Sequence, residues 1–160
     1  MMEKPTLYIL CGPSGAGKST WAWNFIKNDE GTLWASRDKI RFSILKDEED
    51  YFSHEKEVFR KFIGTIQASL VDGFNTIADA THLNEFARRK LTQALDMYHI
   101  DYDIVYVVFN TNVETCIERN KNREGRANVP ETIIRNMCRD FRAPTLDEDE
   151  RAKEIIEING

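Results

Sequence analysis

Residues 12–19 read GPSGAGKS, with Thr20 next, and satisfy the pattern G-x-x-x-x-G-K-[ST] at every fixed position. No other stretch constrains the fold as strongly. Thr6–Cys11 (TLYILC) before it is a short apolar run rich in β-forming residues, which predicts a buried strand. After it, Trp21, Ala22, Phe25 and Ile26 recur at helical spacing within Ser19–Lys27. Strand, glycine loop and helix in that order make an anion-binding concavity from backbone N–H groups and a helix N-terminus. Gly12, Gly15 and Gly17 permit a close backbone approach to phosphate, with Ser14, Ala16 and Thr20 completing the nucleotide-binding stretch. Lys18 is placed to reach the β- and γ-phosphates, and the Ser19 hydroxyl to ligate Mg²⁺. The expected ligand is a nucleoside triphosphate, ATP or a related one. The competing reading is a glycine-rich turn with a surface lysine.

A chain of 160 residues is sized for one domain over residues 1–160, and its 41% hydrophobic and 31% charged content is that of a globular protein. Cys11, Cys116 and Cys138 are odd in number, far apart and without metal-ligand spacing, which predicts reduced thiols and a cytoplasmic setting. The first strand begins too early to leave room for a signal peptide, and Ile104–Phe109, the longest apolar run, is too short to cross a bilayer. No membrane partner is expected. A net charge of −5 argues against attraction to nucleic acid over the whole surface.

Strands alternate with helices along the rest of the chain. Thr32–Ala35 predicts a second strand and Ser36 an N-cap for a short helix ending near Leu45. Asp38 falls in its first turn and Arg41 one turn later on the same face, either as a capping acid with a surface salt bridge or as a functional pair. The acidic connection Lys46–Tyr51 leads to a helix from about Ser53 to Val71, with Val58, Phe62 and Ile66 on one stripe. His54 reads as solvated. Asn75–Ala80 predicts a strand closing on Asp79-Ala80-Thr81-His82, with Asp79 at the edge where open α/β sheets bind ligands. Asp79 would hold a Mg²⁺-bound water, orient Arg41, or cap the next segment. His82 reads as an acceptor-site liner or as a structural histidine. The helix Asn84–His99 turns Arg88, Arg89 and Lys90 toward solvent in this reading. Asp103–Phe109 suits the middle of a parallel sheet, helices follow over Val113–Asn120 and from Pro130 to about Phe141, and Glu154–Ile158 predicts an edge strand. Between Arg119 and Arg142 seven basic residues face three acids, which suits a mobile lid that brings an arginine to a polyphosphate.

Taken together, GPSGAGKSTWA, SRDKIR, DATHLN and ERNKNR…GR…VPETIIRNM resemble, in order, the polynucleotide 5′-hydroxyl kinases of bacteriophage and bacterial nucleic-acid repair systems, over about Leu7 to Arg142. The resemblance implies a P-loop NTPase fold of the adenylate-kinase-like type: a central parallel sheet of about five strands, helices on both faces, and an arginine-rich lid at about 119–130. It implies phosphoryl transfer from the γ-position of ATP, with Mg²⁺, to the 5′-hydroxyl end of DNA or RNA. Asp38 takes the place of the general base, Arg41 of the arginine that holds the acceptor phosphate, and Asp79 of an acid buttressing the acceptor pocket with Thr81 beside it. Arg123 takes the place of the lid arginine on the donor phosphates, with Arg119 and Arg126 as nearby candidates. The family often joins the kinase to a phosphatase or ligase; the sequence ends at Gly160 with neither, so separate end-processing enzymes are the expected partners. The acids of Lys46–Tyr51, placed near the acceptor entrance, would repel a long duplex. Two rivals share the scaffold: a kinase for a sugar acid or nucleotide sugar, and a nucleotide-switched binding module.

Overall fold

The computed structural model of the chain describes residues 3–125 and 128–160. Five parallel strands form one sheet: β1 (Thr6–Cys11), β2 (Thr32–Ser36), β3 (Asn75–Asp79), β4 (Asp103–Asn110) and β5 (Ala152–Asn159), in the order β2-β3-β1-β4-β5. Between them run α1 (Lys18–Ile26), α2 (Arg37–Ile44), α3 (Glu55–Val71), α4 (Glu85–Asp96), α5 (Val113–Lys121) and α6 (Glu131–Asp140).

Side chains of a strand alternate between faces, and here both faces are buried. Leu7, Ile9 and Cys11 of β1 and Ile104, Tyr106 and Val108 of β4 pack with Phe62 and Ile66 of α3 and Leu91 and Leu95 of α4. The residues between them, Leu10, Val105, Val107 and Phe109, pack on the other face with Ala22 of α1, Cys116 of α5 and Ile134 of α6. This is why the central strands read as continuous apolar runs. The fold is the α/β P-loop architecture expected, with five strands.

Boundaries follow caps. The Ser36 side chain accepts from the Lys39 N–H, Asn84 from Ala87 and Asn112 from Thr115, fixing the starts of α2, α4 and α5. Pro130 is the N-cap of α6 rather than its first residue. His54, half-exposed and paired with Glu49, is the N-cap of α3. The last strand is longer than its apolar core, because β5 pairs with β4 from Ala152 to Asn159 across a bulge.

One expectation fails. Arg88 is not solvated: it is 2% exposed, with Nε and Nη2 donating to Glu148 at 2.8 and 2.9 Å and Nη1 donating to the His82 carbonyl at 2.9 Å. The charged stretch before β5 folds back and supplies Glu148, itself 7% exposed, as a buried partner. Helical periodicity cannot reveal a partner sixty residues away. Arg89, by contrast, pairs with Glu85 on the exposed face.

In this order β1 connects toward one edge of the sheet and β3 toward the other, so a crevice opens between their C-terminal ends. The glycine loop leaves β1 there, and Asp79 ends β3 there. The Gly12 N–H donates to the Thr81 carbonyl at 2.9 Å, joining the two loops across the crevice.

Candidate active site

The crevice widens into a cleft of about 670 Å³. Its floor is the glycine loop. Gly15 and Gly17 have φ of 84° and 104°, in the left-handed region. A Cβ on Gly15 would stand 2.4 Å from the Cys116 carbonyl oxygen, so α5 packs directly on the loop. Ser14, Gly15, Gly17, Lys18, Ser19 and Thr20 line the cleft. Gly12 and Ala16 do not: Gly12 approaches Phe109, and Ala16 is buried with its carbonyl accepting from Thr111 Oγ1 at 2.8 Å. These two shape the loop from behind.

Lys18 is buried, and its Nζ donates to the Pro13 carbonyl at 2.8 Å. Burial pulls its pKa down, while Asp79 and Asp38 push it back up. Asp79, 5% exposed, accepts on Oδ2 from Ser19 Oγ at 3.1 Å and from Trp34 Nε1 at 3.0 Å. Burial raises its pKa, and Lys18 and the two donors lower it. Of the three sequence readings for Asp79, this contact favours the one beside Ser19 over the one beside Arg41. A hydroxyl and a carboxylate converging next to the phosphate loop are hard oxygen donors of the kind Mg²⁺ takes, one or two from protein and the rest from phosphate and water.

Opposite the loop, α2 presents Asp38 and Arg41. Both line the cleft, Asp38 half-exposed and Arg41 only 4% exposed. Arg41 Nε and Nη2 donate to Glu55 at 3.0 and 2.8 Å; Nη1 donates to Tyr51 at 2.7 Å and to Asp38 Oδ1. Four of the five guanidinium N–H groups are thus committed to protein. Burial presses the Arg41 pKa down, but Glu55, Tyr51 and Asp38 outweigh it and raise it overall. The Tyr51 hydroxyl donates to Asp38 Oδ1 at 2.5 Å, and burial next to Asp38 raises the phenol pKa. Both donors fall on Oδ1, and among the described residues none stands on Oδ2. Asp38 is therefore held as an aimed carboxylate.

The neighbouring Arg37 differs. Its Nη2 lies 3.5 Å from Glu55, while its buried Nε has no hydrogen-bond partner among the described residues. Burial lowers its pKa against the pull of Glu55. A buried donor without an acceptor is uncommon, and a water or a ligand oxygen would satisfy it.

The lid arginines fall on the third side. Arg119 Nη1 donates to the Gly15 carbonyl at 3.3 Å and would lie 3.3 Å from a Cβ on Gly17, so it sits directly over the loop. Arg123 lines the same cleft. Arg126 lies outside the described residues. Asn120, 3% exposed, joins the two ends of the stretch expected to be a lid: its side chain accepts from the Val129 N–H at 2.9 Å and donates to the Val129 carbonyl.

Thr81 lines the cleft beside His82. His82 is 6% exposed, has φ of 42°, and hydrogen-bonds through Nδ1 to the Leu10 carbonyl at 2.7 Å. Burial, partly countered by that hydrogen bond, lowers its pKa to about 4, so it is neutral near pH 7. Sequence reasoning missed Arg37, Trp34 and Tyr51. Arg37 adjoins a chosen residue, but the other two follow no motif spacing. The acidic Lys46–Tyr51 segment reaches the cleft through Tyr51, with Phe52 next to it, rather than through its acids.

The fold has counterparts among known proteins. A family model described as an AAA domain, AAA_33, matches residues 7–144. A chain of the Pnkp1/Rnl/Hen1 RNA repair complex is 25% identical, with 88% of this chain and 45% of that one covered at a TM-score of 0.74. In a second structure of the Pnkp1/Rnl/Hen1 complex, the match is 28% identical over 74% and 40% of the two chains, at 0.64. This chain therefore spans less than half the length of either. A sugar kinase from Janibacter sp. HTCC2649 is 18% identical over 98% and 86% of the two chains, with a TM-score of 0.66, and shares the fold. No described helix is long and apolar enough to cross a membrane. The chain belongs to the AAA_33 family of AAA domains, and its phosphate loop marks it as nucleotide-binding.

Proposed function

We propose that the chain transfers the γ-phosphoryl group of ATP to the 5′-hydroxyl of a polynucleotide. The observation that carries this reading is the acceptor wall: the Asp38 carboxylate is fixed by Tyr51 and Arg41, and Arg37 next to it has a buried, unpartnered Nε. A phosphate oxygen of the acceptor strand would make a charge-assisted bond to this guanidinium, stronger than any a neutral sugar's hydroxyl offers. The 25–28% identity to chains of an RNA repair complex supports the same choice.

In this mechanism the glycine-loop N–H groups, Lys18 and Arg119 hold the triphosphate, and Arg123 approaches it from the lid. Mg²⁺ at Ser19 and Asp79 would neutralise charge on the phosphate oxygens. Asp38 Oδ2 accepts a hydrogen bond from the 5′-hydroxyl and aims its oxygen at the γ-phosphorus. A bond forms from that oxygen to phosphorus as the bond to the β–γ bridging oxygen breaks; ADP leaves, and the hydroxyl proton passes to Asp38. Because phosphoryl transfer has a loose transition state, an aimed carboxylate serves without being a strong base. In this reading Arg41, nearly saturated by protein partners, orients Asp38, and Arg37 takes the acceptor phosphate that the sequence expectation gave to Arg41.

The test supplies labelled ATP with matched 5′-hydroxyl DNA and RNA oligonucleotides and with a panel of sugars and sugar acids. Transfer to an oligonucleotide end is expected, with Asp38→Asn lowering kcat at least about hundredfold while ATP affinity stays within about twofold. Transfer to a sugar alone would assign the metabolite-kinase reading. Slow hydrolysis with no transfer to any acceptor would assign the binding-module reading.

A further inference from the structure

Trp34 does not line the cleft. It stands on the edge strand β2, half-buried against the side chains that cover the α1 face of the sheet. Its Nε1 nevertheless reaches inward and donates to Asp79 Oδ2 at 3.0 Å. Strand register explains the reach. Trp34 pairs with Ile77 and Ser36 with Asp79, so the indole lies on the diagonal to Asp79, a separation that an aromatic side chain spans. Ser19 Oγ donates to the same carboxylate oxygen at 3.1 Å, and among the described residues no donor stands on Oδ1. Over the indole lies Lys39 Nζ, 3.7 Å from the ring centre, and Lys39 follows Asp38 in the first turn of α2. A cation on an aromatic face holds the ring in place and draws electron density toward itself, which strengthens the indole N–H as a donor. Lys39, Trp34, Asp79 and Ser19 thus make one chain of contacts from α2 to the phosphate loop.

We infer that Trp34 is a positioning residue of the Mg²⁺ site, acting through Asp79. A carboxylate held by one donor still turns about its bond to the chain; two donors from different elements stop it. Here both fall on Oδ2, which leaves Oδ1 free for the cation or one of its waters. The Ser19 hydroxyl gives its proton to Asp79 and so keeps its oxygen lone pairs for the same cation. Partners that orient a metal ligand in this way commonly hold about ten- to hundredfold of a site's affinity. The inference rests on Mg²⁺ binding at Ser19 and Asp79, and it holds whichever acceptor the enzyme takes.

The experiment titrates Mg²⁺ into the ATP-bound protein and follows thermal unfolding. Trp34→Phe keeps an aromatic ring and removes the N–H. It should raise the Mg²⁺ concentration that gives half of the cation-dependent increment in Tm by about tenfold. Affinity for ATP in the presence of a chelator should stay within about twofold of the unaltered protein. A second measurement leaves Trp34 in place. With Trp21→Phe and Trp23→Phe combined, Trp34 is the one left of the chain's three tryptophans. Its emission should change when Mg²⁺ joins the ATP complex, revert on chelation, and stop responding once Asp79→Asn is added. An unchanged half-point in Trp34→Phe, or emission indifferent to Mg²⁺, overturns the positioning role while the metal site stands. Equal losses of ATP affinity with chelator and with Mg²⁺ also overturn it, because the indole then only supports the packing of the loop. If Ser19→Ala and Asp79→Asn leave the half-point where it was, the metal site lies elsewhere and this inference falls with it.

Discussion

His82 shows how one buried side chain ties the glycine loop to acid stability. Its imidazole is held by the Leu10 carbonyl, and Lys18, Arg37 and Arg88 all oppose a positive charge there. In the unfolded chain a histidine takes up its proton near pH 6.5, whereas the folded chain resists protonation down to about pH 4. The unfolded state thus binds more protons across that window, and stability falls as pH drops through it. At pH 5 the loss relative to neutral pH should be about 2 kcal/mol from this group. His82→Asn keeps a residue tolerant of positive φ and removes the titration. Denaturant unfolding of both proteins at pH 7.5 and 5 should show the larger acid loss in the unaltered chain. Equal losses would mean that the histidine is accessible to protons.

At the scale of elements, the buried pair between Arg88 of α4 and Glu148 before β5 ties one face of the sheet to its edge strand. Arg88 also holds the His82 carbonyl, so the pair supports the loop that follows Asp79. Removing one member of a buried ion pair strands the other charge, at about 3–5 kcal/mol. Arg88→Met should therefore lower Tm by roughly 10 °C for a domain of this length, and Glu148→Leu in the same chain should restore most of it. A double variant as unstable as the single one would show that the packing of the arginine, not its charge, matters. The helices themselves were legible from caps and periodicity: Ser36 and Asn84 sit where their polar side chains can meet free backbone N–H groups. Arg88 was not, since its helical position looks like that of any surface arginine.

Over the whole molecule, the crevice between β1 and β3 collects residues from both halves of the chain, so nucleotide binding links the two faces of the sheet. ATP at about a hundredfold over its Kd should stabilise the fold by about 2.7 kcal/mol, or roughly 5–10 °C in Tm. Mg²⁺ should add a further increment that Ser19→Ala and Asp79→Asn abolish while the shift with ATP alone persists. Because burial raises the Asp79 pKa, protons compete with the cation at higher pH than for an exposed aspartate. The Mg²⁺ increment should accordingly shrink as pH is lowered. Thermal melts with and without a chelator measure both effects; a Mg²⁺ increment surviving in both variants would remove these two residues from the metal site.

The amino-acid order by itself determined the phosphate loop, the alternation of strands and helices, and the pairing of Asp38 with Arg41, because each depends on spacing within one or two turns or strands. Only the tertiary structure decided which partners those residues have. Asp79 meets Ser19 sixty residues away, Glu148 meets Arg88, and Glu55 claims the guanidinium of Arg41, leaving the donor on Arg37. Phe86 occupies an apolar helical position in the sequence, yet it is exposed and lines the cleft. Local hydrogen bonding and periodicity are written along the chain; electrostatic partners and shared surfaces arise from its closure in space.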